Sequence, residues 1–278
     1  MKHRLGLGRI TLHVLLAFVC LTLLFPFYWM LLASVSTGKQ VLRFPPNLIP
    51  PSIHFENYVQ VISNSSFARN LLNSAAAALS QVLLGMVVSV LAAFALSHFS
   101  FRLKRAVLVY LSVLILIPFE ATFIFNYRIA VQLRLNETLG AIVFPFLADA
   151  FSVIALYTAF CSAPRELYEA AQLDGACNAV YIFRVLCPMY KPILTLLSLL
   201  IIKSSWNAFT WPMLINKTAA VRTLPIGIYS YISETSSRFE LVSAYSVLST
   251  LPVLLLYLIF SRQMVWSSMF SGEGYIKL

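Results

Sequence analysis

Long apolar stretches separated by short polar segments dominate this sequence. A helix needs about 20 mostly apolar residues to cross the hydrocarbon core of a membrane. Six stretches meet that requirement, and three of them carry one internal charge each, at Glu120, Asp149 and Lys203. The predicted spans are 10–34, 71–96, 106–127, 138–160, 192–214 and 241–261. We therefore expect an all-α membrane protein whose residues 1–278 form a single transmembrane domain.

Composition supports a lipid environment. Hydrophobic residues make up 60% of the chain and charged residues only 11%, whereas soluble domains carry about 25% charged residues. The mean hydropathy of +0.83 points the same way. The net charge of +10 is not concentrated in any long basic run, so it predicts membrane topology and argues against nucleic-acid binding.

The basic residues also predict an orientation. Of the 20 basic residues, eleven fall on the side that holds both termini, eight fall on the other side, and Lys203 lies inside a span. The compact group Arg102, Lys104 and Arg105 carries most weight, because short loops follow the positive-inside rule best. Both termini are predicted to be cytoplasmic, in the cell membrane, or in the inner membrane of a cell that has two.

Two further segments have simple interpretations. The apolar part of the first span is longer than the 7–15 residues typical of a signal peptide, so cleavage is not expected. The external loop 37–70 contains Pro45, Pro46, Pro50 and Pro51, which favour extended backbone. We interpret it as a shaped loop and not as a separate domain.

The sequence contains no pattern typical of an enzyme or a metal site. The four cysteines and four histidines have no metal-ligand spacing. HExxH and GxSxG patterns are absent from the sequence, and so is the GxxxxGK[ST] phosphate-binding loop. The chain is therefore not expected to be an enzyme, to hold a metal or to bind a cofactor.

The cytoplasmic segment 161–191 is patterned like two short amphipathic helices. Ser162 and Pro164 suit the start of the first helix, and Asp174-Gly175 suits its end, because glycine tolerates the left-handed conformation. Its apolar positions follow helical spacing. These positions are Leu167, Ala170 and Ala171.

The second helix is predicted to begin at a capping Asn178 and to end at Pro188. Its apolar face is formed by Ala179, Ile182, Phe183 and Leu186. Two short amphipathic helices joined at a glycine can dock on another protein or on the protein's own helix ends, or can lie on the lipid surface. The pattern alone does not separate these alternatives.

The same segment carries a family resemblance. Glu169-Ala170-Ala171 is followed after three residues by Gly175, and after nine more by Val185, Leu186, Cys187 and Pro188. This spacing resembles the EAA signature of binding-protein-dependent ABC importer permeases. Cys187 is the one departure, since leucine is usual there. Further motifs similar to the carbohydrate branch occur at 25–30, 56–58, 70–74, 206–212 and 251–252.

The resemblance implies a fold and partners. The fold would be the type I importer permease fold, most like the second subunit of maltose permeases. The partners would be a second permease subunit, two cytoplasmic ATPase subunits that hydrolyse ATP, an extracytoplasmic binding protein and membrane lipid. The contact with the ATPase would be made by Glu169, Ala170, Ala171, Asp174, Gly175, Ala176 and Pro188.

Candidates for a solute path come from the charges and polar groups inside spans. Asp149 and Lys203 are costly in hydrocarbon, so they either pair with each other or line a polar path. Trp206 and Asn207 suit a sugar, because sugars combine hydroxyl groups with apolar ring faces. Tyr110, Phe119 and Tyr127 are weaker candidates.

The function that these features predict is import of a sugar or oligosaccharide. Glycerol-3-phosphate import by the same family is the alternative. A stand-alone secondary transporter is a further one, but it would show inverted repeats and broken helices carrying ion ligands.

Overall fold

The computed structural model describes residues 7–235 and 238–270, with the side chains of residues 11–64, 66–233 and 238–260. Within those ranges all regular secondary structure is helical, which confirms the predicted fold class. The basic residues Lys2, Arg4 and Lys277, which contribute to the predicted orientation, lie outside the described residues. The α-helices are α1 (Leu7–Ser34), α2 (Gly38–Val41), α3 (Glu56–Ser63), α4 (Ser65–His98), α5 (Lys104–Leu116), α6 (Phe123–Gln132), α7 (Leu139–Val143), α8 (Ala150–Cys161), α9 (Arg165–Leu173), α10 (Asn178–Tyr181), α11 (Cys187–Met189), α12 (Lys191–Trp206), α13 (Thr210–Ile215), α14 (Leu224–Thr235) and α15 (Phe239–Phe270).

Three helices are long and apolar enough to cross a membrane without a break: Thr11–Ser34, Ser66–His98 and Phe239–Phe260. They cover the predicted spans 10–34 and 71–96 and nearly all of 241–261. Three further crossings are possible if each of three bent helix pairs forms one span. The membrane boundaries of all six spans stay a prediction.

Two of the bent pairs place helix breaks inside the predicted spans 106–127 and 138–160. The pair Lys104–Leu116 and Phe119–Gln132 bends by 100°, and the pair Leu139–Phe146 and Ala150–Cys161 bends by 44°. The first break falls at Ile117, whose extended backbone (ψ 115°) matches the restriction that a following proline imposes. The next span, predicted over 192–214, ends its helix α12 at Trp206 and continues after a break as α13.

The chain divides into two compact units, and the first comprises residues 1–68 and 227–252. In this unit the buried side chain of Asn57 donates two hydrogen bonds, both of 2.9 Å, to the carbonyl oxygens of Ser34 and Ser36. The Tyr58 hydroxyl lies 2.6 Å from the Ser34 hydroxyl. Asn57 and Tyr58 therefore attach the start of α3 to the end of α1.

The second unit comprises residues 69–226 and 253–278 and contains two hydrophobic cores. One surrounds Trp211, whose indole nitrogen donates a 3.0 Å hydrogen bond to the Ala141 carbonyl oxygen. The other surrounds Leu156, Phe160, Tyr181 and Leu186, and α9 packs against it.

A carboxylate fixes a loop of the second unit. Glu137 accepts hydrogen bonds from the backbone nitrogens of Lys217 (3.0 Å to each oxygen) and Thr218 (2.9 Å). Hydrogen bonds from these two backbone groups, Thr218 first, lower the pKa of Glu137 below its ordinary value. Glu137 makes these contacts from a left-handed backbone conformation, with φ of 61°.

Candidate functional site

Helix α9 ends in the glycine turn that the sequence predicts. Gly175 has a φ of +75°, the left-handed region in which a side chain is strained. The Gly175 nitrogen donates to the Gln172 carbonyl oxygen at 3.0 Å, and the Ala176 nitrogen donates to the Ala171 carbonyl oxygen at 2.9 Å. These two bonds form a Schellman motif, which closes a helix C-terminus by satisfying its last carbonyls.

The caps of the two short helices differ from the prediction. Ser162 does not cap α9; it ends α8, where its hydroxyl donates to the Ala159 carbonyl oxygen. Asn178 is the first residue of α10 and not its cap. Its side-chain oxygen instead accepts a 3.0 Å hydrogen bond from the Tyr168 hydroxyl and a 3.3 Å bond from the Gln172 amide nitrogen. Asn178 therefore ties the two helices to each other.

The second helix ends within one residue of its predicted end at Pro188. The helical run reaches Met189 before the chain bends by 86° into α12. A π-helical turn over Ile182–Leu186 precedes Pro188, with the Cys187 nitrogen donating to the Ile182 carbonyl oxygen five residues back. Since proline lacks an N–H group, this wider turn accommodates it without breaking the helix.

The inner side of α9 packs against the protein itself. Tyr168 and Ala171 lie against the core that contains Phe94 and Tyr181. The Tyr168 ring is also in edge-on contact with His98, at a centroid distance of 4.9 Å, and with Tyr181, at 5.0 Å. The end of α4 and both short helices thus form one aromatic cluster, which we call the His98 cluster: Phe94, His98, Tyr168 and Tyr181.

The outer side of the segment is exposed. Leu173 is 89% exposed, Glu169, Ala170 and Asp174 are exposed, and Ala176 is half-buried. In the second helix Phe183 and Ala179 are exposed while Ile182 and Leu186 are buried, so the predicted four-residue face is divided between core and surface. The buried positions of this helix are Tyr181, Ile182 and Leu186.

A cavity of about 550 Å³ lies within the second unit, away from α9. Its wall combines the breaks before α6 and α8 with parts of α4, α5 and α12. Apolar side chains form most of this wall, and Phe119, Phe146 and Phe151 are the aromatic ones. The polar side chains on it are Gln81, Thr122, Asn126, Asp149, Ser152 and Ser204.

Asp149 is the N-cap of α8 and lies at the helix break, not in the middle of a continuous helix. Its carboxylate accepts hydrogen bonds from the backbone nitrogens of Phe151 (3.3 Å) and Ser152 (3.0 Å) and from the Ser152 hydroxyl. Among the described side chains no ion pair joins Asp149 to Lys203, and Lys203 is exposed. The Asp149 carboxylate is therefore hydrogen-bonded by backbone N–H groups and not by Lys203, the partner that the sequence suggested.

The other path candidates are not on this wall. Trp206 is buried, and Asn207 uses its side-chain nitrogen to donate a 2.9 Å hydrogen bond to the Lys203 carbonyl oxygen. Of the weaker aromatic candidates, Phe119 lines the cavity and Tyr110 and Tyr127 do not. Sequence reasoning missed Gln81, Asn126 and Ser204, because a polar residue in a span has no distinguishing pattern until the helices are placed.

No group of three or more potential metal ligands occurs in the part of the chain that the structure describes. The four cysteines are free, and Cys187, the departure from the EAA pattern, packs against the core around Tyr181.

An all-helical fold with three helices long and apolar enough to cross a membrane agrees with the class of protein that the family comparison shows, a membrane transport subunit. The chain belongs to the family of binding-protein-dependent transport system inner membrane components, which matches residues 85–268.

Similar proteins cover almost the whole chain. The arabinooligosaccharides transport system permease protein AraQ of Bacillus subtilis (strain 168) is 26% identical over 260 residues, with 92% of each protein covered. The sn-glycerol-3-phosphate transport system permease protein UgpE of Brucella abortus (strain 2308) is 25% identical over 262 residues, covering 91% of this chain and 93% of the relative.

Solved structures share the fold. One chain of a bacterial ABC transporter involved in the import of the acidic polysaccharide alginate superposes with a TM-score of 0.82 and 24% identity, covering 94% of this chain and 98% of that one. A second structure, of the bacterial alginate ABC transporter in complex with alginate pentasaccharide-bound periplasmic protein, gives a TM-score of 0.66 and 17% identity.

Proposed function

We propose that this chain is the membrane permease subunit of an ABC importer for a sugar or oligosaccharide, and that its α9 segment docks on a separate ATPase. A binding protein on the outer side delivers the solute, and a second permease subunit completes the path. The chain hydrolyses no ATP itself and has both termini in the cytoplasm. Membership of the binding-protein-dependent family and the permease names of its relatives support this proposal.

The proposal for the docking segment rests on one observation: one side of α9 packs against the core and the other side is exposed. Tyr168 and Ala171 attach it to the protein's own core, while Leu173 projects an 89% exposed apolar side chain away from that core. An exposed leucine beside small and acidic residues suits a groove on a protein partner. The attached side would let the segment move as a solid body when the partner moves.

The residues of the α9 segment have different roles in the proposed contact. Ala170 and Ala176 have small side chains, so the partner can approach the backbone on the outer side. Glu169 and Asp174 offer charged contacts at the edge of the contact surface. Gly175 sets the turn between the two helices. Ala171 and Pro188 serve the protein's side of the contact, through core packing and through the helix that leads into α12.

The relatives support two classes of solute. One relative is named for arabinooligosaccharides and another for sn-glycerol-3-phosphate. We propose a sugar as the solute. Glycerol-3-phosphate is the second candidate, because several relatives are named as sn-glycerol-3-phosphate permeases.

Substitutions at Gly175 test the docking role. No atom lies within 4 Å of the position of an added Cβ, so only the left-handed backbone opposes a side chain there. Gly175→Val should insert and assemble but lose solute-stimulated ATP hydrolysis and transport. Gly175→Asn is the matched variant, because asparagine tolerates this conformation, and it should keep most activity.

Gly85→Ala controls for adding a methyl group elsewhere in the second unit, since its new Cβ would meet only ordinary contacts at 3.6 Å or more. Coupled transport by Gly175→Val at the unmodified rate would refute the docking role. Solute uptake by the purified chain with no ATPase would instead favour a stand-alone transporter.

A further inference from the structure

The cavity in the second unit has the composition of a binding site for a small polar solute. Its volume of about 550 Å³ falls in the range of small-molecule sites, which combine mostly apolar walls with a few placed polar groups. Phe119 and Phe146 lie on this wall with ring centroids 4.5 Å apart. Asn126 and Ser204 add hydrogen-bonding groups from α6 and α12.

The ionisable groups on the described wall of the cavity carry only negative charge. Asp149 is the only ionisable side chain among the described residues that line the cavity. Its two oxygens already accept three hydrogen bonds, and a carboxylate has about four lone-pair sites, so acceptor capacity remains. The lining contains no lysine, arginine or histidine in the described part of the chain.

We propose that this cavity holds an uncharged polyhydroxy solute and discriminates against anionic ones through Asp149. This inference rests on the proposed function and narrows its solute class. A neutral sugar can donate hydroxyl groups to the carboxylate and to Asn126 while its apolar ring face lies on Phe119. A phosphate or uronate would meet a like charge in a site of low polarity, where repulsion is only weakly screened.

Lys203 is not part of the cavity wall. It is adjacent to Ser204 in sequence, but its side chain is exposed and does not line the cavity. A variant that changes only Asp149 still contains Lys203. The difference between this variant and the unmodified protein therefore measures the effect of the Asp149 carboxylate.

Cysteine labelling tests the proposal without knowledge of the natural solute. Ser204→Cys would be made in the complete transporter after Cys20, Cys161, Cys177 and Cys187 are replaced, and labelled in membrane vesicles with and without ATP. The probes are a glucose-linked methanethiosulfonate, which is neutral, and sulfonatoethyl methanethiosulfonate, which is anionic. Ile49→Cys gives the ratio of the two rates outside the cavity, because Ile49 is 79% exposed in the loop 37–70 and no charged residue lies within four positions of it.

The expected neutral-to-anionic rate ratio at Ser204→Cys exceeds the ratio at Ile49→Cys by about fivefold or more. Asp149→Asn keeps a residue that caps helices well and removes the charge, so the ratio should fall to the Ile49→Cys level. An unchanged ratio in Asp149→Asn would overturn the proposal. So would an absence of labelling at Ser204→Cys in both nucleotide conditions while Ile49→Cys reacts, as expected of a closed or lipid-filled cavity.

A negative result in the labelling experiment can be distinguished from a failure of the proposed function. Rate ratios at Ser204→Cys depend on the cavity wall and not on coupling to an ATPase. The Gly175 variants report coupling and leave the wall unchanged.

Discussion

The Tyr168 hydroxyl donates a 3.0 Å hydrogen bond to the side-chain oxygen of Asn178, across the turn that Gly175 makes. The same ring contacts His98 and Tyr181 in the His98 cluster. Tyr168 therefore connects α9 with the second short helix and with the C-terminal end of α4. Motion imposed on the exposed side of α9 has a packed route into the membrane helices.

Tyr168→Phe should weaken this connection without emptying the cluster. The ring packing remains, and one hydrogen bond worth about 1 kcal/mol is lost. We expect normal assembly, a small decrease in thermal stability and a reduced number of solute molecules transported per ATP. Parallel assays of transport and ATP hydrolysis measure this ratio.

Tyr168→Ala, in contrast, removes the ring and its contacts with His98 and Tyr181, so it should destabilise the protein more than Tyr168→Phe does. Equal transport-to-ATP ratios in Tyr168→Phe and the unmodified protein would show that the hydroxyl has no part in coupling.

Asn57 should be important for the stability of the first unit. Its amide donates to the carbonyl oxygens of Ser34 and Ser36, at 2.9 Å each, in a site where it is only 6% exposed. Asn57→Ala leaves both carbonyls without this donor and should cost about 2 kcal/mol or more. Thermal denaturation of the purified protein measures the loss.

Asn57→Asp is the matched variant, nearly equal in shape but unable to donate when ionised. It should destabilise the protein at least as much as Asn57→Ala, because it places negative charge against two carbonyl oxygens. Stability equal to the unmodified protein in both variants would contradict the structural role of this side chain.

The hydrogen bonds to the Glu137 carboxylate should make a contribution to folding stability that depends on pH. Its pKa is lowered in the folded protein by hydrogen bonds from the backbone of Thr218 and Lys217, relative to an ordinary value of 4.5. A depressed carboxyl pKa contributes stability above the unfolded value, and this contribution is lost as pH falls through the folded pKa. Glu137→Gln should therefore lower the melting temperature near pH 7.

The gap between Glu137→Gln and the unmodified protein should narrow as the pH falls from 4.5 through the lower folded-state value. Melting curves at several pH values measure it. A gap that stays constant over this range would mean that the ionised carboxylate does not hold the loop. Glu56→Gln is the comparison variant, because Glu56 is an exposed carboxylate that contacts His54 Nδ1 at 3.4 Å and belongs to the other unit.

The sequence predicted the helical membrane architecture and the turn at Gly175 well, because both depend on local physics. Apolar length decides whether a helix can span, and Asp-Gly after a helical pattern favours a left-handed C-terminus. The size of the helix breaks could not be predicted. Pro118 and Pro145 lie within predicted spans, where proline favours a kink, but neither hydropathy nor a proline gives the bend angles of 100° and 44°.

The errors at Ser162 and Asn178 share a cause. Each residue type is a common helix cap, but here the Ser162 hydroxyl bonds to the Ala159 carbonyl oxygen and lies 3.0 Å from the Tyr190 hydroxyl, and the Asn178 side chain accepts a bond from Tyr168. The same holds for Asp149 and Lys203. Two charges in neighbouring spans suggested an ion pair, but the helix N-terminus beside Asp149 supplies its hydrogen bonds.

The most direct test of the docking claim is photocrosslinking from the outer side of α9. A photoreactive amino acid at Leu173, which is 89% exposed, would be activated in membranes that contain the assembled transporter, with the same residue at the 66% exposed Leu83 of α4 as the control. We predict a covalent adduct between position 173 and a nucleotide-hydrolysing subunit, and lipid adducts at position 83. Lipid adducts alone at both positions would contradict the account.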